Sequence, residues 1–423
     1  MVATPDRNAS APASADAAPA DARPAVPSWT ASCGTVPPTS DPPLGPALAA
    51  MMAVQAVISM AVFAPGVVAP RIGLDPSTLG LFSTVVFAVA ALAAPKSGVL
   101  VARLGPMGVV AACCLATALA MLAAAAGSLA GLIAAGALIG FAFGPETPAS
   151  TTLLGRLTKP ARRSFVFSVR QTGNQIGAAI GSVALPALVA VVDPRLGYGL
   201  VAVLAGAVAI LCWRMAPRYD RTVAAAGASA RMPLAALFRS RPLATLALAS
   251  AAFGAMQLGL NTFFVSHAVT GLGHPHVAAG FALGVAQIAG LAGRLGWGAA
   301  VGWIGTPRGV IAGLGIGMTV AAATLALAGP ALPFWALVLL AAMFGTTASG
   351  WNGLFVAEMA RLAPDGRVAE TTGAVLTVTY LGLLVGPGLV AATAAVGGLG
   401  LSFLVLAGIS ALGTAALIAG GRP

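Results

Sequence analysis

Five ionisable side chains stand inside long apolar stretches of this sequence: Lys96, Glu146, Arg170, Arg294 and Glu358. A charge at the centre of a hydrocarbon layer costs about 2.5–3.5 kcal/mol on an insertion scale, so each needs a partner or a wet cavity. The densest polar cluster is FVFSVRQTGNQIGAAIG at 165–181, where Arg170 is followed by Gln171, Asn174 and Gln175. Arg170 lies seven residues past Arg163, about 10 Å along a helix. Asn174 is one turn further on the same face, while Gly173, Gly177 and Gly181 form a different stripe suited to close helix contact. Glu146 is the acid set most deeply in an apolar stretch, at a depth similar to that of Arg170. Antiparallel neighbours would bring the two together. Arg170 then has three readings: cavity lining, a structural ion pair with Glu146, or anchoring at the membrane edge. Glu146 is either half of a static pair or a proton-sensitive group whose protonation frees Arg170 for an anion. A guanidinium suits a carboxylate, because its fork donates two parallel hydrogen bonds.

The remaining polar groups are quieter. Glu358 with Arg361 reads as an i, i+3 pair at the end of a helix. Lys96 lies two residues before Gly98, at a gate or an edge. Gln55, Gln257, Asn261, Gln287, Asn352 and Tyr380 either line a path or hold helices together; Gln257 and Asn261 share one face.

The elements that must position these groups are membrane helices. The chain of 423 residues is 58% hydrophobic and 8% charged, where a soluble domain carries about 25% charged residues. Its mean hydropathy is +0.94. After residues 1–44, rich in Ala, Pro, Ser and Asp and expected to be a disordered cytoplasmic tail, apolar stretches of about 20 residues recur, each able to cross about 30 Å of hydrocarbon. Twelve spans are expected: 46–69, 77–101, 107–126, 129–152, 165–191, 197–215, 242–265, 277–300, 309–329, 332–357, 369–393 and 398–420. They divide into an N-terminal six-helix bundle over 45–215, a central cytoplasmic loop over 216–241 and a C-terminal six-helix bundle over 242–423.

The loop cations set the orientation. Arg103, Arg156, Lys159, Arg162 and Arg163 fall on one side, with Arg214, Arg218, Arg221, Arg231, Arg239 and Arg241 in the central loop and Arg308, Arg361, Arg367 and Arg422 beyond. The other side holds Arg71 and Arg195. The positive-inside rule then puts both termini in the cytoplasm. The net charge of +11 is punctuation between apolar runs and not a nucleic-acid face, so no nucleic-acid partner is expected. Cys33, Cys113, Cys114 and Cys212 have no metal-ligand spacing, and His267, His274 and His276 fall in one expected outside loop, read as an ordinary polar loop. Neither H-E-x-x-H, G-x-S-x-G nor a nucleotide-binding G-x-x-x-x-G-K-S/T occurs. No enzyme, metal or cofactor is expected.

The halves echo each other. GVLVARLGPMGVV from Gly98 matches GAAVGWIGTPRGV from Gly298, with Gly105 against Gly305. ARRSFVFSVRQTGNQIGAAIG matches DGRVAETTGAVLTVTYLGLLVG, pairing Gly177 with Gly382 and Gly181 with Gly386. Two six-helix halves with internal repeats point to a rocking transporter whose site lies between them.

On these motifs the chain resembles the major facilitator superfamily over everything after the tail. That family's loop after span 2 reads roughly G-x-L-x-D-R-x-G-R-R/K; Gly98, Leu100, Arg103 and Gly105 are kept, but Ala102 and, in the second copy, Gly302 replace the acid. The resemblance implies a gating role for Gly98, Arg103, Gly105, Gly298, Gly305 and Lys96, with the acid's part taken by other contacts. The antiporter motif of span 5, G-x-x-x-G-P-x-x-G-G, is partial, since Ala178 and Ser182 stand where Pro and Gly belong. GALIGFAFGPETPAS and FSVRQTG resemble bacterial members that move small organic anions. In related monocarboxylate and oxalate carriers an Arg on span 8 holds the substrate carboxylate, a role carried over to Arg294 with an inside-gate role as the alternative. Family geometry sets Lys96, Arg170 and Arg294 at similar depth on three cavity walls. The implied function is a monomeric, proton-coupled importer of a small organic anion in the bacterial inner membrane. Its substrate contacts would be Arg170, Arg294, Asn174, Gln55, Gln257, Asn261, Gln287 and Tyr380, with Glu146 for the proton. Multidrug or metabolite efflux by proton antiport is the alternative.

Overall fold

The computed structural model describes residues 42–68, 76–191, 193–220 and 234–420. Residues 1–41 of the expected tail, residues 221–233 of the expected central loop, and Arg71, Arg221, Arg231 and Arg422 lie outside them. Among the described residues all regular structure is helical: α1 (Leu44–Val68), α2 (Pro76–Ala93), α3 (Ser97–Ala125), α4 (Leu129–Leu157), α5 (Arg163–Val191), α6 (Pro194–Tyr219), α7 (Leu234–Arg239), α8 (Arg241–Thr270), α9 (His276–Ile304), α10 (Pro307–Leu327), α11 (Phe334–Leu362) and α12 (Val368–Ala419).

Nine described stretches are long and apolar enough to cross a membrane. Two of them contain a break and read as two spans each. One runs from α2 through a 3₁₀ turn at Ala94–Lys96 into α3 and breaks at Gly105; the other, α12, breaks at Gly397 and Gly398. Helix α5, 29 residues long, is a further helix of spanning length. With α5 added, the helices are consistent with the twelve expected spans. Boundaries differ in places. Helix α6 runs to Tyr219, into the expected central loop, and α8 runs to Thr270. His267 is therefore a buried helical residue, its Nε2 3.0 Å from the Leu325 carbonyl, and not part of an outside loop.

The break at Gly105 has a counterpart at Gly305, as the internal echo anticipates. Both residues have positive φ, 73° and 128°, a conformation that costs a side chain but not glycine. Each is followed by a helix start with proline in its first turn, where a missing N–H costs nothing. The new helix still has free N–H groups to satisfy. In the second repeat Thr306 does this locally, accepting from Gly309 N at 3.2 Å. The first repeat has no capping side chain there. Asp220, just past α6, supplies one across space: its two oxygens accept from Met107 N at 2.9 Å and Gly108 N at 3.0 Å. Burial pushes the Asp220 carboxyl above its ordinary value, while the two amides and Arg156 pull it back.

Packing repeats in the two halves. Helix α1 runs along α5, with Gly173, Gly177 and Gly181 against Met52, Ala56 and Met60. Helix α8 runs along the first part of α12, with Gly382 and Gly386 against Ala251 and Ala255. A Cβ at Gly177 or Gly382 would overlap the neighbouring backbone, so the glycine stripes are the contacts that bring these helices close. Helices α2 and α4 pair as α9 and α11 do. Between halves, α5 meets α9 and α11, while α2 and α4 meet α12, so the cross-contacts obey the same two-fold relation.

The tightest contacts between halves lie at one end. A Cβ on Gly298 or Gly353 would overlap Ser168, one on Gly98 would overlap Glu370, and one on Gly373 would overlap the Ala94 carbonyl. This is the end whose loops carry Arg103, Arg156, Lys159, Arg162, Arg163 and Arg361. Toward the other end Gly280, Gly284 and Gly388 face open space within 4 Å. The halves are closed at the basic end.

Candidate functional site

A cavity of about 190 Å³ lies between the halves, beyond the closed end. Six amides line it: Gln55, Gln171, Asn174, Gln257, Asn261 and Asn352. Aromatic rings make much of the remaining wall, among them Phe63, Phe87, Phe143, Trp351, Phe355 and Tyr380. Gln55 and Ser59 stand one turn apart on α1, and Gln257 and Asn261 one turn apart on α8, so each of the two helices presents two polar groups to the space. Asn352 Nδ2 donates to Gln257 Oε1 at 3.2 Å. Gln55 Nε2 donates to Gln171 Oε1. Ser59 Oγ donates to the Asn174 carbonyl at 2.8 Å, which holds α5 against α1 while the Asn174 amide faces the cavity.

Among the described residues no charged side chain lines this cavity; the charges sit one layer behind. Arg170 is fully buried, and its Nη2 donates to Glu146 Oε1 and, at 3.3 Å, to Thr147 Oγ1. Glu146 Oε1 also accepts from Ser150 Oγ at 2.9 Å and Oε2 from Thr147 Oγ1 at 3.0 Å. The carboxylate is thus held by one cation and two hydroxyls. Arg170 is less fully used: Nε and Nη1 have no hydrogen-bond partner. A buried donor without an acceptor costs about 1–3 kcal/mol, so the site holds latent capacity for an acceptor. Thr147 lines the cavity and separates it from the ion pair. Tyr380 closes the same wall from α12, its hydroxyl donating to the Phe143 carbonyl of α4 at 3.1 Å.

Arg294 is also buried, and it crosses between halves: Nη1 donates to the Gln171 carbonyl at 2.8 Å, while Nε has no partner. Among the described residues no acid forms an ion pair with it. Arg170 and Glu146 cancel, so Arg294 leaves the centre of the molecule with excess positive charge. Gln171 links both systems, its side chain to Gln55 and its carbonyl to Arg294.

Several expected positions fall elsewhere. Gln55, Asn174, Gln257, Asn261 and Tyr380 line the cavity; Arg170, Arg294 and Gln287 do not. Gln287 is exposed on α9. The cavity face of α5 runs through Gln171 and Asn174, because Arg170 turns instead to Glu146 on α4. Lys96 is exposed at the end of the 3₁₀ turn, so three cations do not share a cavity level. Arg103 is exposed at the basic end. Glu358 pairs with Arg361 at 2.7 Å, the expected i, i+3 pair. Glu370, buried and paired with Arg367, was not singled out by the sequence; its significance comes from lying on Gly98 of the opposite half. Its i, i+3 spacing from Arg367 was the available signal. Among the described residues no cluster of three metal-ligating side chains forms.

A twelve-span-type helical fold with a central cavity, closed at one end by repeat-related contacts, defines a membrane transporter. The profile of the Major Facilitator Superfamily matches residues 46–387, and the chain belongs to that family of transporters, not to an enzyme family. No curated protein matches the sequence. Solved structures with the same fold include the E. coli fucose:proton symporter FucP, at 15% identity and a TM-score of 0.71, covering 89% of this chain and 98% of that one. The human organic anion transporter MFSD10 (TETRAN) aligns at 16% identity and 0.70, over 89% and 100%. A bacterial homologue of the iron transporter ferroportin, in an outward-facing state, aligns at 16% and 0.72, over 89% and 98%.

Proposed function

We propose that this transporter takes up a small organic anion, a carboxylate, in symport with protons. The observation that carries the reading is Arg294, a buried guanidinium without an acidic partner, one residue layer behind an amide-lined cavity. An anion entering the cavity would meet that excess charge, and the amides would supply neutral donors. Glu146 is the proton site: protonated, it no longer neutralises Arg170, whose two unpartnered donors then face an incoming carboxylate. A cavity of about 190 Å³ suits a small solute; drug-sized ligands occupy roughly 300–1,000 Å³. With the termini in the cytoplasm, as the loop cations favour, the closed end is cytoplasmic and this conformer faces outward. The aromatic share of the lining favours a second reading, export of an apolar metabolite by proton antiport.

Uptake of radiolabelled mono- and dicarboxylates into proteoliposomes separates the two. Uptake should rise under an inward proton gradient and fall to the level of empty vesicles in Arg294→Ala. Uptake that is unaltered in Arg294→Ala, or apolar solute extruded with no carboxylate taken up, would overturn the anion reading.

A further inference from the structure

A second and larger concavity, about 910 Å³, lies outside the transport path, between α3 and α6 at the basic end. Its floor is deep because small residues face each other there: Gly108, Ala111 and Ala112 on α3, Gly206 and Ala209 on α6. A Cβ at Gly206 would meet nothing within 4 Å. Leu115 and Ile210 form apolar walls, and Trp213 stands 70% exposed at the margin. Tryptophan favours the level of lipid headgroups. At the mouth are two exposed cations, Arg103 and Arg214, with no ion pair to a described acid. The nearest acid in the lining, Asp220, is already engaged by Met107 N and Gly108 N, with Arg156 as its neighbouring cation.

We infer that this groove binds one anionic phospholipid, an acyl chain along the α3–α6 floor and its phosphate between Arg103 and Arg214. The charge pattern selects the occupant. An apolar trough alone would take any lipid, but two uncompensated guanidiniums at headgroup level favour a net negative headgroup over a zwitterionic one. The site is independent of the substrate reading, since none of its residues lines the central cavity.

Native mass spectrometry of the full chain, reconstituted in equal parts phosphatidylglycerol and phosphatidylcholine of the same chain length, tests this. The wild type should retain one phosphatidylglycerol in preference to phosphatidylcholine. Arg214→Gln should lower that preference about fivefold, the effect of about one surface cation. Gly206→Leu, which fills the floor in open space, should release the lipid although both arginines remain. Equal retention of the two lipids by the wild type would overturn the proposal, as would an unchanged preference in Arg214→Gln. Retention that ignores Gly206→Leu would indicate a headgroup-only phosphate site and overturn it too. A lipid-free dimer would put a second copy in the groove and would equally overturn it.

Discussion

At the scale of residues, the Glu146–Arg170 pair is the feature most exposed to test. Removing one partner of a buried pair costs about 3–5 kcal/mol, because the other is left charged and unanswered. Glu146→Ala should therefore lower the melting temperature in detergent markedly. Glu146→Gln keeps a carbonyl for Arg170 and for Ser150, so it should fold. Its uptake should no longer respond to a proton gradient, whereas Arg170→Ala should lose uptake altogether. Persistence of gradient stimulation in Glu146→Gln would exclude Glu146 as the proton site. The pair itself was legible in the sequence, because both residues lie at similar depth on helices adjacent in the chain. That Gln171, and not Arg170, faces the cavity was not legible: the two are neighbours on α5, and only the position of α4 decides which one turns away. Arg294 was expected at the site, but its contact with the Gln171 carbonyl depends on how closely α5 and α9 approach, which spacing along one chain does not encode.

At the scale of elements, the two repeats solve one problem in two ways. Both break the chain at a positive-φ glycine and restart a helix with proline, a feature legible from the echo of Gly105 and Gly305. The sequence could suggest the Thr306 cap, which lies next to its helix, but not Asp220, which reaches Met107 from more than a hundred residues away. The family's loop acid is missing at Ala102, and Asp220 brings a carboxylate to this loop from α6 instead. Loss of a cap costs about 1 kcal/mol. Asp220→Ala should thus speed hydrogen exchange at the Met107 and Gly108 amides, with Thr306→Ala doing the same at Gly309 and neither affecting the other repeat. Asp220→Asn retains one acceptor and should be milder. It also has a pH consequence. Burial raises the Asp220 carboxyl, so the native chain holds that proton more tightly than the unfolded chain. Stability then falls as pH rises from the ordinary carboxylate value through the raised one. Thermal melts of wild type should lose ground to Asp220→Asn over that interval, and parallel curves would rule out the effect.

At the scale of the whole molecule, the apolar runs, the asymmetry of loop cations and the repeats were enough to read two six-helix halves, because those properties are written locally and accumulate along the chain. Which end is closed was not readable, since closure consists of contacts between residues such as Gly353 and Ser168 that no periodicity links. The closing contacts differ in how much they can give. At Gly98 an added methyl meets the Glu370 side chain, which has rotamers to use; at Gly353 it meets the Ser168 backbone, which has none. Packed interfaces resist small intrusions by switching state more than by deforming. Gly353→Ala should therefore part the halves at the basic end and shift the population toward a conformer open there, while Gly98→Ala does so less. Spin labels on the basic ends of α4 and α11 give the readout: a longer distance in Gly353→Ala, an intermediate change in Gly98→Ala, and none in Gly284→Ala, where the methyl enters open space. If Gly353→Ala keeps the wild-type distance, the α5–α11 contact is not what holds this end shut, and the seal would have to rest on the contact of Glu370 with Gly98 across α3 and α12.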